Sequence, residues 1–312
     1  MRKQLLLLCF VFTVGMTLFQ SCKKEPASTV PPQVGIFFSI ADKQVAFTSL
    51  TLRATTWNWD FGDGTNSTEK SPVHIYKDGG YYKVKLIGAN AQGDTASAIV
   101  TAAVSLTPYS LLTGDNTAPG YHGKTWKLSG AHSPYDIFGN ADANFSIVAG
   151  PLASGTFGGL NIPEVYDDTF TFSFDGGYSH DVKADGASFC GLVYELVTTG
   201  GAGIVHYVRP ASDYGLGTGK YTPQAGAKFT YVEKENFAVP SVYGPGGVIT
   251  YPNVSTLDFT GTEFIGIMDF QRKVIVQEIT DSSMRLVMFV ALSPGDVPKA
   301  THALILTFEV VK

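Results

Sequence analysis

Trp57-Asn58-Trp59-Asp60-Phe61-Gly62-Asp63-Gly64 decides the fold at the front of this 312-residue chain. Trp57, Trp59 and Phe61 recur at period two, so a strand there turns one aromatic face inward and one polar face to water. Gly62, Asp63 and Gly64 then reverse the chain, because glycine reaches positive φ without steric cost and Asp bonds its own backbone. Val45-Ala46-Phe47 precedes the block. Ser71-Pro72-Val73-His74-Ile75-Tyr76 and Gly79-Gly80-Tyr81-Tyr82-Lys83-Val84-Lys85-Leu86 follow it as further strand-like runs.

Together these residues resemble a PKD domain, with Trp-Asp-Phe-Gly-Asp-Gly as signature and Tyr-x-Val-x-Leu as the next strand. The resemblance implies an immunoglobulin-like β-sandwich over residues 35–107, with Trp57 and Trp59 in its core and the whole domain acting as a spacer. Thr107 to Gly120 is rich in Thr, Pro, Gly and Asn and lacks periodicity, which places a linker at residues 108–120.

Ahead of that domain, Arg2 and Lys3 lead an apolar run from Leu5 to Phe19 that is short for a membrane span and suited to a signal peptide. Ser21-Cys22 closes it and resembles a lipoprotein cleavage site. The expectation is a signal peptide over 1–21, lipid on Cys22 and a solvated tether over 22–34. Cys9 would leave with the signal, so Cys190 would be the one free thiol of the mature chain. Its surroundings, the apolar strand-like run Ser188 to Tyr194, predict a small core hydrophobe rather than a nucleophile.

Charge excludes one class of partner. The chain has 22 Lys plus Arg against 27 Asp plus Glu; without Arg2 and Lys3 the balance is 20 against 27, or −7. Such a surface disfavours nucleic acid and other polyphosphates. The whole chain has 34 glycines and 12% aromatics, and residues 121–312 predict short strands and turns: Lys124–Leu128, Tyr166–Phe174 turning at Asp175-Gly176-Gly177, Val254–Phe259, Phe264–Phe270, Lys273–Ile279, Arg285–Ala291 and Ala303–Val311. No window supports a major helix. The fold class is all-β: the PKD-like sandwich followed by a larger antiparallel β-sandwich, jelly-roll-like, with a lipocalin-like barrel as the alternative. Long Gly-, Pro- and Tyr-rich segments at 130–163, 198–226 and 239–252 read as loops.

Catalytic chemistry finds no pattern here. A glycosidase needs two carboxylates about 5–10 Å apart across the scissile bond, and no Glu-x-Asp-x-x-Glu strand occurs. Asp167 and Asp168, beside Glu164, form the densest acidic group and are a candidate calcium site. The six histidines make no zinc motif, and Gly215 to Lys220 fails as a phosphate loop. Sugar rings stack their C–H faces on aromatics while neighbouring polar groups take their hydroxyls. The candidates for that role are Tyr121, Trp126, Tyr135, Tyr214, Tyr221, Tyr243 and Tyr251.

A second resemblance enters with Gly123-Lys124-Thr125-Trp126-Lys127-Leu128, Tyr166-Asp167-Asp168-x-Phe170-x-Phe172 and Phe264-Ile265-Gly266. These are similar to a β-rich domain that follows PKD modules in lipoproteins of Sus-like glycan-uptake loci. Relatives there carry a pair of adjacent tryptophans after the first strand, where this chain has Tyr135 and Phe138. The resemblance implies an outer-membrane, surface-exposed, non-catalytic polysaccharide-binding lipoprotein, with a β-glucan among the expected ligands. Its partners would be a TonB-dependent transporter and that transporter's partner lipoprotein, with no cofactor beyond the calcium considered above. The alternatives are a glycoside hydrolase or lyase with an unfamiliar active site, and an adhesion or structural lipoprotein.

Overall fold

A computed structural model describes residues 30–207 and 215–312, so Cys22 and Tyr214 lie outside the described residues. Among the described residues, no helix is long and apolar enough to cross a membrane. The strands before Val104 share sheets only with one another, as do those after it, and the two units so defined are taken in turn.

The first holds seven strands: β1 (Gln33–Ala41), β2 (Gln44–Leu52), β3 (Thr56–Asp60), β4 (Asn66–Ser67), β5 (Val73–Ile75), β6 (Gly80–Ala89) and β7 (Thr95–Val104). They make two sheets, ordered β1-β2-β5 and β4-β3-β6-β7. The period-two aromatics work as the sequence requires. Trp59 and Phe61 are buried with Phe47, Val84 and Leu86, and the Phe47 ring lies 5.4 Å from both Trp59 and Phe61. The buried indole of Trp59 donates to the Glu69 carbonyl at 2.9 Å, so no polar group is stranded. Gly62 and Gly64 take φ of 79° and 86° in the turn. Trp57 departs from the expectation of full burial. It is half-buried, donates to Thr51 Oγ1 at 3.2 Å and lies 5.5 Å from the Lys70 ammonium.

The second unit opens with helix α1 (Pro108–Thr113), inside the segment expected to link the domains. Thr107 caps it, accepting from Ser110 N at 3.1 Å, and Pro108 starts it, as helix N-termini favour. Its Leu112 is buried in the same cluster as Trp126, whose indole donates to the Leu112 carbonyl at 2.9 Å.

The strands that follow are β8 (Lys124–Leu128), β9 (Ile137–Asn140), β10 (Ile147–Ala149), β11 (Thr169–Phe172), β12 (Tyr178–Asp181), β13 (Ala187–Gly191), β14 (Ile204–Tyr207), β15 (Leu216–Lys220), β16 (Phe229–Pro240), β17 (Val248–Phe259), β18 (Val274–Ile279), β19 (Ser283–Val290) and β20 (His302–Val310). Ten of them form one antiparallel sheet with the path β12-β11-β8-β20-β19-β18-β17-β16, to which β9 and β10 attach; β13-β15-β14 form a small second sheet. The all-β expectation holds, as a larger sandwich or half-barrel.

The large sheet has a core on each face. Trp126, Phe170, Phe172, Leu286, Met288, Leu306 and Phe308 lie on one side; Phe237, Tyr251, Ile275, Val287, Phe289, Ala303 and Ile305 lie on the other. Strands covered on both faces lose their polar alternation, which is why β19 and β20 read as apolar runs.

Three expectations fail for local reasons. Phe264–Phe270 is not a strand, because Gly266 turns at φ 76° and a Cβ there would meet Met288 Sδ at 2.3 Å. Its apolar side chains fill the core from a loop. The run through Cys190 to Tyr194 leaves strand geometry at Gly191 and becomes helix α2 (Leu192–Thr199), stopped by Gly200 at φ 67°. The segments expected as loops all contain strands: 130–163 holds β9 and β10, 198–226 holds β14 and β15, and 239–252 is mostly the long β16–β17 hairpin, since Gly244-Pro245-Gly246-Gly247 marks only its turn.

Candidate functional site

The site begins with an interruption in the large sheet. β8 pairs with β20 at Phe308–Val310 and β9 pairs with it at His302–Ile305. Residues 129–136 between them loop out over the sheet. The loop leaves the Thr307 backbone N–H without a strand partner, and Asp136 Oδ2 accepts it at 3.0 Å. The same carboxylate takes His132 Nδ1 at 2.9 Å, the Thr307 hydroxyl at 2.6 Å and the Ser133 hydroxyl. His132 Nε2 meets the Tyr166 hydroxyl at 2.9 Å. Asp136 is fully buried; burial works against its ionisation, but the bonds from His132, Ser133 and Thr307 outweigh it and hold the carboxyl below its ordinary range.

This buried network fixes the loop that carries Tyr135. The Tyr135 side chain is 66% exposed, and the Arg285 guanidinium carbon sits 4.7 Å from its ring centroid. Arg285 is itself held, by Glu278 Oε2 at 2.8 Å and Gln277 Oε1 at 3.2 Å. A rigid aromatic is therefore presented to water with polar groups beside it.

Cavities neighbour the residues that hold this ring: Thr307 lines one and Arg285 another, while Tyr135 itself lines neither. One of about 600 Å³ is lined by Lys127, Ser129, Ser283, Thr307 and Glu309. A second, about 560 Å³, runs from Arg285 and Gln277 past Asn253 and Lys234 to Phe145 and Tyr251. The loop at 142–145 separates it from a third, about 660 Å³, lined by Asp142, Asn144, Tyr243 and Thr250. Tyr243 is 47% exposed, and its hydroxyl donates to Asn140 Oδ1 at 2.9 Å.

The seven candidate aromatics thus separate. Tyr135 and Tyr243 are exposed on this surface. Tyr251 lines it but is 5% exposed, stacks on Phe145 and donates to the Asp142 carbonyl at 3.0 Å, which makes it a wall and not a platform. Trp126 is fully buried and is removed from the binding set. Tyr121 is half-buried, with its hydroxyl engaged by Thr113 O and Phe174 N, both at 2.8 Å; it lines a separate cavity with Phe174 and Asp175. Tyr221 packs on Phe264 and His180 and donates to Thr262 O at 3.2 Å; burial pushes its phenol well above the ordinary range. Tyr214 lies outside the described residues.

Asp167 and Asp168 do not form a calcium pair. Asp167 is exposed, whereas Asp168 is buried and accepts from Ser188 Oγ at 2.5 Å and His180 Nε2 at 3.3 Å. Asp167 ends the helical turn Pro163–Tyr166 ahead of β11 and faces water, so the two carboxylates lie in different environments. Among the described residues no group of three or more His, Cys, Asp or Glu could hold a metal ion. The Ser188–Asp168–His180 trio is buried, with Ser188 1% exposed, so its serine donates to the carboxylate out of reach of a polymer. Cys190 is buried, and burial pushes its thiol well up, in keeping with a core role.

Residues 40–104 match the PKD domain family. The first unit holds a PKD domain. Collagenase ColA of Bacillus cereus is 32% identical over 76 residues, which are 23% of this chain and 8% of the collagenase. The match falls on the PKD region alone. The PKD1 domain of Vibrio anguillarum Epp is similar at 23% identity, covering 25% of this chain and 98% of that domain, with a TM-score of 0.24. A chain from a structure on the promiscuous specificity of carbohydrate-binding modules of the β-sandwich superfamily is 15% identical, covers 90% of this chain and 92% of its own, and has a TM-score of 0.26.

Reading the sequence missed Arg285, Gln277, Glu278, Lys127 and Glu309. A signal existed. Ser283 and Arg285 alternate with Met284 and Leu286 just before the two-faced run Val287–Val290, and polar residues at every second position of such a strand mark where its outer cover ends.

Proposed function

We propose that the protein binds a polysaccharide along this face, without chemistry, and does so as a lipid-anchored protein at the outer membrane of a Sus-like uptake system. The observation that carries the binding reading is Tyr135, an exposed ring immobilised by Arg285 on one side and by the buried Asp136 network beneath. Holding it in place before the ligand arrives reduces the entropy lost on binding. Asn253, Gln277, Ser129 and Thr307 offer donors and acceptors for sugar hydroxyls along the neighbouring cavities. What supports the anchor is Ser21-Cys22 behind an apolar run, and what supports a transporter partner is the resemblance carried by Lys124-Thr125-Trp126 and Tyr166-Asp167-Asp168. The PKD domain is the spacer in this account.

Affinity electrophoresis of the purified protein against soluble polysaccharides tests the binding reading. Retardation by at least one polymer is expected, with no new reducing ends. Absence of retardation across the panel would defeat it, and released sugar would turn the protein into an enzyme. Mass spectrometry of the membrane fraction tests lipid on Cys22.

Adhesion through protein contact is a second reading, favoured by the outward face of β1, β2 and β5. Phe37, Leu50, Leu52 and Val73 are each more than half exposed there, an unusual concentration for a surface. Sedimentation of the purified protein that stays monomeric, alongside retained glycan binding, would set that reading aside.

A further inference from the structure

The face around Tyr135 is dense in charge, most of it paired. It carries five cations, Lys127, Lys234, Lys273, Arg285 and Lys312, and four anions, Asp142, Glu235, Glu278 and Glu309. Three of the cations are already matched: Lys127 Nζ lies 3.4 Å from Glu309, Arg285 2.8 Å from Glu278, and Lys273 2.6 Å from Glu235. Lys273 also lies 5.1 Å from the Phe237 ring centroid, on the same side of the sheet. Lys273 and Thr256 together hold the Glu235 carboxyl below its ordinary range.

A carboxylate or sulfate on a ligand gains from a cation only what that cation's existing partner leaves uncancelled. Two opposite charges about 3 Å apart act as a dipole whose field fades well within the Debye length of about 8 Å at physiological salt. Arg285 has a further engagement, since its guanidinium is stacked with Tyr135. Displacing Glu278 to reach a ligand anion would release the ring that the ligand is to stack on. Lys234, Lys312 and Asp142 stand outside these pairs; Lys234 and Asp142 have opposite sign, and Asp142 belongs to the loop at 142–145 that separates their cavities.

Resting on the polysaccharide reading above, we propose that the ligand is an uncharged glycan, and that the Lys127–Glu309, Arg285–Glu278 and Lys273–Glu235 pairs are what excludes polyuronates and sulfated chains. The pairs leave carboxylate and guanidinium edges for sugar hydroxyls while cancelling most of the field of three of the cations. Recognition then depends on stacking and neutral hydrogen bonds, which salt hardly touches.

The test measures binding of the purified full chain to neutral glucans, mannans and xylans, and to polygalacturonate, alginate and heparin, at low and high salt. Affinity for a neutral polymer that changes by less than about twofold with salt, with acidic polymers at least about tenfold weaker, is the expected result. Glu309→Gln frees Lys127 without touching Tyr135, and should raise affinity for polygalacturonate several-fold in a salt-sensitive way. Tight, salt-sensitive binding of an acidic polymer by the unaltered protein would overturn the uncharged-ligand inference and leave the polysaccharide reading intact. An unchanged response to polygalacturonate in Glu309→Gln would overturn the excluding role of the pairs. Binding to none of the six would defeat the polysaccharide reading itself, a different outcome from either.

Discussion

Strand β3 and the loop before β9 both set aromatics beside polar residues, and they use them in opposite ways. Trp59 is fully buried and Tyr135 is 66% exposed. In β3 the alternation itself decides the outcome, because every second residue must face the sandwich interior. In the loop at 129–136 no periodicity operates. The ring is outside because Asp136, two hydrogen bonds deep into Thr307, holds the backbone down while Arg285 occupies the space beneath the ring. Aromatic content alone therefore says little about function; the means by which a ring is held says more.

The sharpest way to break this comparison is to remove each ring. Trp59→Ala should destabilise the PKD domain by roughly 3–5 kcal/mol, the usual cost of deleting a large buried ring, and leave glycan affinity unchanged. Denaturant unfolding with a parallel binding assay checks both halves; lost binding would mean that the PKD domain is more than a spacer.

Acids sharpen the contrast next. Glu278 and Glu309 on the exposed face have cations, whereas buried Asp269 has none and its Oδ2 lacks any hydrogen-bond partner among the described residues. Burial pushes the Asp269 carboxyl up to about 7, against the opposing bonds from the Phe270 and Ala291 N–H groups. The folded chain then keeps a proton that the unfolded chain releases near its ordinary value of 3.8. The associated stability is complete below that pH and is lost as pH rises toward 7, by up to ~4 kcal/mol at 1.36 kcal/mol per pH unit. Asp269→Asn should flatten that part of the stability curve. An identical slope in the variant would show that Asp269 does not carry it.

Asp136→Ala should cost about 1–3 kcal/mol, because it strands the Thr307 N–H and its neighbours. It should also weaken glycan binding although Tyr135 remains. Retained affinity would mean that the pinned loop is irrelevant to recognition. Tyr243→Ala, at the far end of the three cavities, should have the smallest effect, a loss of about two- to fivefold or ~0.4–1 kcal/mol; a larger loss than at Tyr135 would move the centre of the site.

How much of this was legible in the sequence differs between the two units for the same reason. The Trp57–Gly64 block is local: strand period, turn residues and core positions all lie within eight residues, and only the partial exposure of Trp57 escaped it. The distal fold class was readable from its strands, and Tyr135 and Tyr243 were among the named candidates. Their distinction from Trp126 and Tyr251 was not readable, because it depends on which rings the ten-stranded sheet covers. Arg285 reaches Tyr135 across 150 positions of sequence, and Thr307 reaches Asp136 across 171. Such pairings come from strand order, which local patterns do not encode. The Phe264–Phe270 run misled for the converse reason: apolar residues fill a core equally well from a loop when a glycine such as Gly266 permits the turn.

The central claim is that a pinned, exposed tyrosine is the centre of a glycan-binding face. Titration of the best-retarding polysaccharide into Tyr135→Ala and the unaltered protein, with melting curves for both, tests it most directly. Affinity should fall by about ten- to thirtyfold, or ~1.4–2 kcal/mol, with the melting temperature unchanged, since the ring is exposed and contributes little to the core. Equal affinity in the two proteins would contradict the account.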